Sequence, residues 1–291
     1  MADVIFDKNF LRALEKLMLM GHRTSPGRYS GQRRSARRGD SVEFADFKAY
    51  APGDDFRHVD WNAYARMEKL FLKLFLAEQD TSVRILLDCS ASMAWKDGSK
   101  FRMAKQLAGA LGYLSLANYD RVTVIGFGDE NYLCGPLRGK GAARKLFNFI
   151  EGLPQQQRGD LFTLLEQLRP HFKGPGITLV ISDLFFPVLD KALAALKHQR
   201  QEIGLIQILH PLELNPDYQG DLQLLDCETG NEKEISFNSS VRGHYQERLE
   251  DWRGGIKKLC HKYSVNLVDT ASNASLEELT LKRLRKLGFL G

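Results

Sequence analysis

The chain lacks most features that mark a membrane, secreted or nucleotide-hydrolysing protein. No apolar run approaches the roughly 20 residues that a membrane-crossing helix requires. The opening MADVIFDKNF sets acids among apolar residues, without the basic start and apolar block of a secretory signal. Its four cysteines, Cys89, Cys134, Cys227 and Cys260, are widely spaced and form no C-x-x-C pair. That excludes a disulfide framework and a thiolate zinc site, and it predicts reduced thiols in a cytoplasmic protein. No G-x-x-x-x-G-K-[ST] string is present. Ser90 and Ser92 lie outside a G-x-S-x-G elbow, and no histidine is placed by sequence to serve them. Cys89 has no base partner either. No enzyme is expected.

What is present is an ordinary globular composition, 43% hydrophobic and 26% charged. The net charge of +5 is unevenly spread. Arg28, Arg33, Arg34, Arg37 and Arg38 crowd into GRYSGQRRSARRG, and LKRLRK adds a second cluster near the C-terminus. Such a patch suits phosphate or an acidic surface, so nucleic-acid or anionic-polymer binding is the alternative function. Aromatic interleaving, finger spacing and a recognition helix are all missing, which favours a solvated loop over a nucleic-acid site.

Residues 1–79 read as an amphipathic helix over 9–20, the basic loop, and a small β-unit made of SVEFADFKAY and LFLKLFLAEQ around an APGDD turn. From residue 80 to 291 the rhythm changes. The apolar runs VRILLD, RVTVIGFG, GITLVISD, IGLIQIL and VNLVD alternate with helical spacings, with a turn expected around CGPLRG. Ser99 is the expected cap of the first long helix. LQLLDCETGNEKEISF reads as an inserted hairpin near 222–237. This alternation predicts an α/β fold with a mainly parallel sheet covered on both faces.

Ligands of such sheets bind beyond the carboxyl ends of the strands, at the topological switch point. Two strands here end in similar punctuation, ILLD-CSAS and LVIS-D. If they are neighbours, Asp88 and Asp183 converge on one crevice. Asp-x-Ser-x-Ser supplies hard oxygen donors suited to Mg²⁺. The same residues also suit helix capping, and spacing alone favours the cap. Between Pro52 and Trp61, a turn is packed with Asp54, Asp55, Arg57, Asp60 and Trp61. That density predicts either a lock onto the main domain, through an aspartate–arginine pair and a buried indole, or an exposed partner-binding surface.

EFADFKAYAPGDDFRHVDWNAYAR, LFLKLFLAEQD and VRILLDCSASM, in that order and spacing, resemble the bacterial domain-of-unknown-function family 58. ETGNE and KRLRKLGFL extend the likeness along nearly the whole chain. The resemblance implies a Rossmann-like three-layer domain of the von Willebrand factor A type with a metal-ion-dependent adhesion site. Asp88, Ser90 and Ser92 match that site's first motif, and Asp183 matches its later aspartate. A partner's carboxylate completes the Mg²⁺ shell in such sites. Where the family offers a Gly-Thr-Asp-Leu-like turn, this chain has Arg158-Gly159-Asp160-Leu161, so Gly159 stands for the threonine and Thr163 is the substitute hydroxyl. The resemblance further implies a non-catalytic adaptor that works with a MoxR-type AAA+ ATPase and its client.

Overall fold

The computed structural model describes residues 6, 44–51, 56, 59–75, 81–172 and 174–275. The arginine loop with Arg28, Arg33, Arg34, Arg37 and Arg38 and the helix expected over 9–20 lie outside them, as do Asp54, Asp55, Arg57 and the basic LKRLRK cluster. The chain divides into two compact units, Arg23–Asp80, and Thr81–Gly291 together with Met1–His22. Phe6 belongs to the larger unit, where its ring meets Phe147 with centroids 4.7 Å apart.

In the smaller unit β1 (Phe44–Ala49) pairs antiparallel with β2 (Phe71–Phe75), and α1 (Trp61–Met67) lies between them in sequence. Asp60 caps α1. Its backbone is extended, and Oδ1 accepts from the amides of Asn62 at 2.9 Å and Ala63 at 3.2 Å. Trp61 is 63% exposed, which corrects the expectation of a buried indole. The seven-residue helix buries only Ala63, and Trp61 instead meets Tyr64 edge-on at 6.3 Å.

The larger unit continues with β3 (Ser82–Asp88), α2 (Ala91–Ala94), α3 (Ser99–Ala117), β4 (Arg121–Phe127), β5 (Tyr132–Leu137), α4 (Ala143–Glu151) and α5 (Leu161–Gln167). It then runs through β6 (Gly176–Ser182), α6 (Leu189–His198), β7 (Gln201–Leu209), α7 (Pro211–Leu214), β8 (Gly220–Leu225), β9 (Glu232–Phe237), α8 (Ser239–Lys262) and β10 (Asn266–Ala271). The main sheet has the order β10-β7-β6-β3-β4-β5. All of its pairings are parallel except β4 with β5. The β8–β9 hairpin forms a separate two-stranded sheet.

The central strands are continuously apolar because helices cover both faces. On β3, Ile85 and Leu87 join Leu107, Leu111, Leu146 and Ile150 beneath α3 and α4. Leu86, between them, joins Leu164, Leu193, Leu196 and Ile256 on the opposite face. This is the expected three-layer arrangement.

Two local expectations change. Cys134, Gly135 and Pro136 belong to β5 and not to a turn. A proline lacks a ladder donor and is tolerated at a sheet edge, where β5 lies in the sheet order. At α3 the cap residue is Gly98, with φ +69, and Ser99 is already helical. The Ser99 amide donates to Asp97 Oδ1 at 3.0 Å, and its hydroxyl pairs with that of Ser272 at 2.8 Å.

Lys105, buried on α3, donates to the carbonyls of Glu151 at 3.0 Å and Leu153 at 2.8 Å. These acceptors lie at the carboxyl end of α4, where helix carbonyls lack internal donors. Lys105→Met should keep the packing of the stem and strand those carbonyls, lowering stability by about 1–3 kcal/mol in urea unfolding. Trp61→Ala should leave the melting temperature within about 2 °C of the parent in a thermal melt, as an exposed substitution does.

Candidate functional site

Leu87 pairs with Ile181 in the parallel register of β3 and β6, so the two strands end side by side. The chain leaves β3 toward β4 on one side and later returns to place β6 on the other. The crevice at this switch point receives Asp88 from one strand and Asp183 from the other, each 1% exposed.

Both oxygens of Asp88 are engaged. Oδ1 accepts from the Ser90 amide at 2.9 Å, and Oδ2 accepts from the Ser182 hydroxyl at 2.6 Å. The Ser182 hydroxyl in turn accepts from the Leu184 amide at 2.8 Å. Burial pushes the Asp88 carboxyl above its ordinary range and the charge of Asp183 adds to this, while the hydrogen bonds from Ser182 and Ser90 oppose it. Ser90 precedes α2 with the extended backbone of a cap, yet its side chain caps nothing. Its hydroxyl instead lies 3.0 Å from that of Ser92. The buried Met93 anchors this turn in the core.

Asp183 is held by a cation that the sequence reading missed. Lys100 Nζ lies 3.0 Å from Asp183 Oδ2 and 2.6 Å from Glu213 Oε1, and the lysine side chain is 0% exposed. Burial alone would lower the lysine's pKa, and pairing with Asp183 and Glu213 more than offsets it, so the group stays charged. A signal was available. Lys100 shares a helical face with Ala104, Leu107, Ala108 and Leu111, all of them buried.

The second loop brings backbone where a hydroxyl was expected. A Cβ on Gly159 would lie 3.0 Å from Asp88 Oδ1 and 3.3 Å from Ser90 Cβ, so the absence of a side chain lets the loop approach this closely. Thr163 does not supply the substitute hydroxyl. It is exposed on α5, and its Oγ1 donates to Asp160 Oδ2, the cap of its own helix, at 2.5 Å. A further residue reaches the crevice from the β8–β9 turn. Its carbonyl, that of Glu228, accepts from Arg158 Nε at 3.3 Å. The quoted ETGNE string contains Glu228, but nothing in its spacing points to Arg158.

Cys89 is buried, and burial followed by the charge of Asp88 pushes its thiol up to about 12. It is therefore no thiolate nucleophile. Among the described residues no group of three or more His, Cys, Asp and Glu side chains is arranged to hold a metal ion. For a hard cation the available donors are the hydroxyls of Ser90 and Ser92. Their 3.0 Å separation fits adjacent corners of an octahedron with bonds of about 2.1 Å, which lie about 3.0 Å apart.

The chain is 26% identical over 264 residues to an uncharacterized protein of Mycobacterium tuberculosis, spanning 87% of this chain and 82% of that relative. An uncharacterized protein of Mycobacterium bovis matches to the same extent. Solved structures with some likeness include the conserved hypothetical protein BatB from Bacteroides thetaiotaomicron, at 14% identity and a TM-score of 0.44, covering 71% of this chain and 98% of that one. Manganese-loaded TRAP protein of Plasmodium vivax aligns at 16% identity and a TM-score of 0.32, covering 44% of this chain and 57% of that one. A family model described as protein of unknown function DUF58 matches residues 46–254, and the chain belongs to that family.

Proposed function

We propose that the chain is a non-catalytic protein-interaction module of the cytoplasm, in which Ser90 and Ser92 hold Mg²⁺ and, through it, a carboxylate of a protein partner. The observation that carries this reading is the pair of hydroxyls 3.0 Å apart at the switch point, backed by the buried Asp88. Bound Mg²⁺ would supply a positive anchor for the incoming carboxylate. Asp88 orients the donors by holding the Ser90 amide, and it reinforces them with charge from behind. Asp183, paired with Lys100, contributes field but has little freedom to turn toward the ion. With two protein hydroxyls and none from Gly159, binding is weak until a partner contributes, because Mg²⁺ dehydrates reluctantly.

The rim suits a protein partner. Phe185, two residues after Asp183, is about half exposed and stacks on Trp252 with centroids 4.4 Å apart. In the smaller unit, the exposed Trp61 offers a partner a further aromatic contact. The partner to which the family resemblance points is a MoxR-type AAA+ ATPase acting on a client protein. Polymer binding through the arginine loop is the competing reading, and a steep loss of nucleic-acid affinity with salt would favour it. Among the described residues no helix is long and apolar enough to cross a membrane.

Calorimetric titration with Mg²⁺ tests the site. The parent should bind weakly, and Ser92→Ala and Asp88→Ala should each weaken binding at least about tenfold, since affinity follows ligand number and charge. Equal heats for all three would discard the metal reading. Chelator should likewise abolish capture of the purified ATPase if the ion bridges the two proteins.

Lys100→Met should cost about 3–5 kcal/mol, because Asp183 and Glu213 would remain buried without their cation. Thermal melts with and without Mg²⁺ report the second consequence. With Asp183 released, added Mg²⁺ should recover part of the lost melting temperature in the variant and shift the parent much less.

A further inference from the structure

The edge of the main sheet at β5 borders a groove that the crevice does not use. Among the described residues no strand lies beyond β5, so alternate amides and carbonyls along it lack a ladder partner. The second half of the strand is blunted. Its register against β4 shifts between Val122 and Val124, and Pro136 has no donor to offer a further strand. Gly135 has φ +133, and a Cβ there would lie 2.6 Å from the Val122 carbonyl oxygen, so glycine is required at this shift. The first half differs. Tyr132, Leu133 and Cys134 pair one to one with Gly126, Ile125 and Val124, and none of the three carries a charge that would guard the edge. Between β5 and α4 lies a groove of about 780 Å³, lined in part by Leu133, Gly135, Arg144, Lys145, Asn148 and Phe149. That volume is in the range of sites that hold a ligand.

The groove is one-sided in charge. From Asn131 to Ile150 the sequence holds Arg138, Lys140, Arg144 and Lys145 and no acid. The ion pairs formed among the described residues leave Arg144 and Lys145 without a carboxylate. Arg144 and Asn148 stand one helical turn apart, as do Lys145 and Phe149, while Leu146 and Ile150 are buried. Neither cation serves the helix, because the first turn of α4 has no acid and the helix dipole disfavours positive charge there. We propose that this groove docks an extended acidic segment of a protein partner, which pairs with the edge of β5 at Tyr132–Cys134 and sets carboxylates on Arg144 and Lys145. An extended strand puts alternate side chains on one face, so acids at every second position can meet α4 while the main chain meets β5. The unpaired edge favours a peptide over a nucleic acid, since a peptide returns both donor and acceptor at the strand's own spacing. The surface shares no residue with the Ser90–Ser92 pair and needs no metal ion.

A short fluorescent peptide of alternating glutamate and valine, blocked at both ends, is the probe, titrated at physiological salt in chelator. It should bind the parent saturably and slow amide exchange at Tyr132–Cys134. Reversing both cations, Arg144→Glu with Lys145→Glu, should weaken binding at least about tenfold, as the loss of two charge-assisted contacts requires. Reversing the exposed Lys257 and Lys258 on α8 changes the net charge equally and should leave the affinity within about twofold, because distant charges are screened. Two further peptides carry N-methyl groups on the glutamates or on the valines, which removes main-chain donors and keeps every carboxylate. The one whose methyl groups face β5 should bind the parent about tenfold more weakly. This comparison uses the parent alone, so it does not depend on the folding of a variant. The proposal is overturned by any of four results: no saturable binding, an equal loss from the two charge reversals, unchanged affinity for both methylated peptides, or tighter binding of an oligothymidylate of the same charge.

Discussion

The crevice depends on one constraint, the placing of two carboxylates out of water at the ends of adjacent strands. Asp88 and Asp183 cannot both be buried and charged without compensation, because each ion gives up several kcal/mol of hydration and the two repel. The chain meets this in two ways. Asp88 is hydrogen-bonded by Ser90 and Ser182, and Asp183 is given the ammonium of Lys100. Lys100 in turn draws in Glu213 from the turn after β7, so one cation ties the start of α3 to the ends of β6 and β7. The crevice is therefore assembled by the protein's own charges.

Close approach is the second requirement. A Cβ at residue 159 would lie 3.0 Å from Asp88 Oδ1 and 3.3 Å from Ser90 Cβ, so a side chain there would require its neighbours to shift by a few tenths of an ångström. Glycine at 159 meets that need, at the cost of the hydroxyl that the family pattern supplies there. Thr163 cannot restore it. It occupies the third position of α5, where its amide and hydroxyl both turn to the Asp160 cap.

The sheet was legible in the sequence because burial on two faces demands unbroken apolar runs, and β3, β4, β6 and β7 announce themselves in that way. The convergence of Asp88 and Asp183 was legible for the same reason, since both runs stop at comparable points and neighbouring strands end together. Edge positions and local exposure were harder. Pro136 suggested a turn because its missing donor looks like punctuation until the strand is known to lie at the edge. For Trp61 the chemistry left a buried lock and an exposed surface both open, and on the short α1 it is exposed. Lys100 went unnoticed, although its helical spacing put it among buried residues. Glu228 was invisible for a deeper reason. Its meeting with Arg158 depends on how a separate hairpin is placed, and no periodicity encodes that.

Lys100 and Glu228 act in opposite directions on the same crevice. The lysine supplies positive charge from within and lessens the need for a bound cation. The glutamate adds negative charge from outside and restores that need. Around the hydroxyl pair the carboxylates of Asp88, Asp183, Glu213 and Glu228 outnumber the cations Lys100 and Arg158 that meet them. Without an ion, part of that imbalance is relieved by the raised affinity of Asp88 for its proton. A divalent cation on Ser90 and Ser92, as proposed above, would remove the rest.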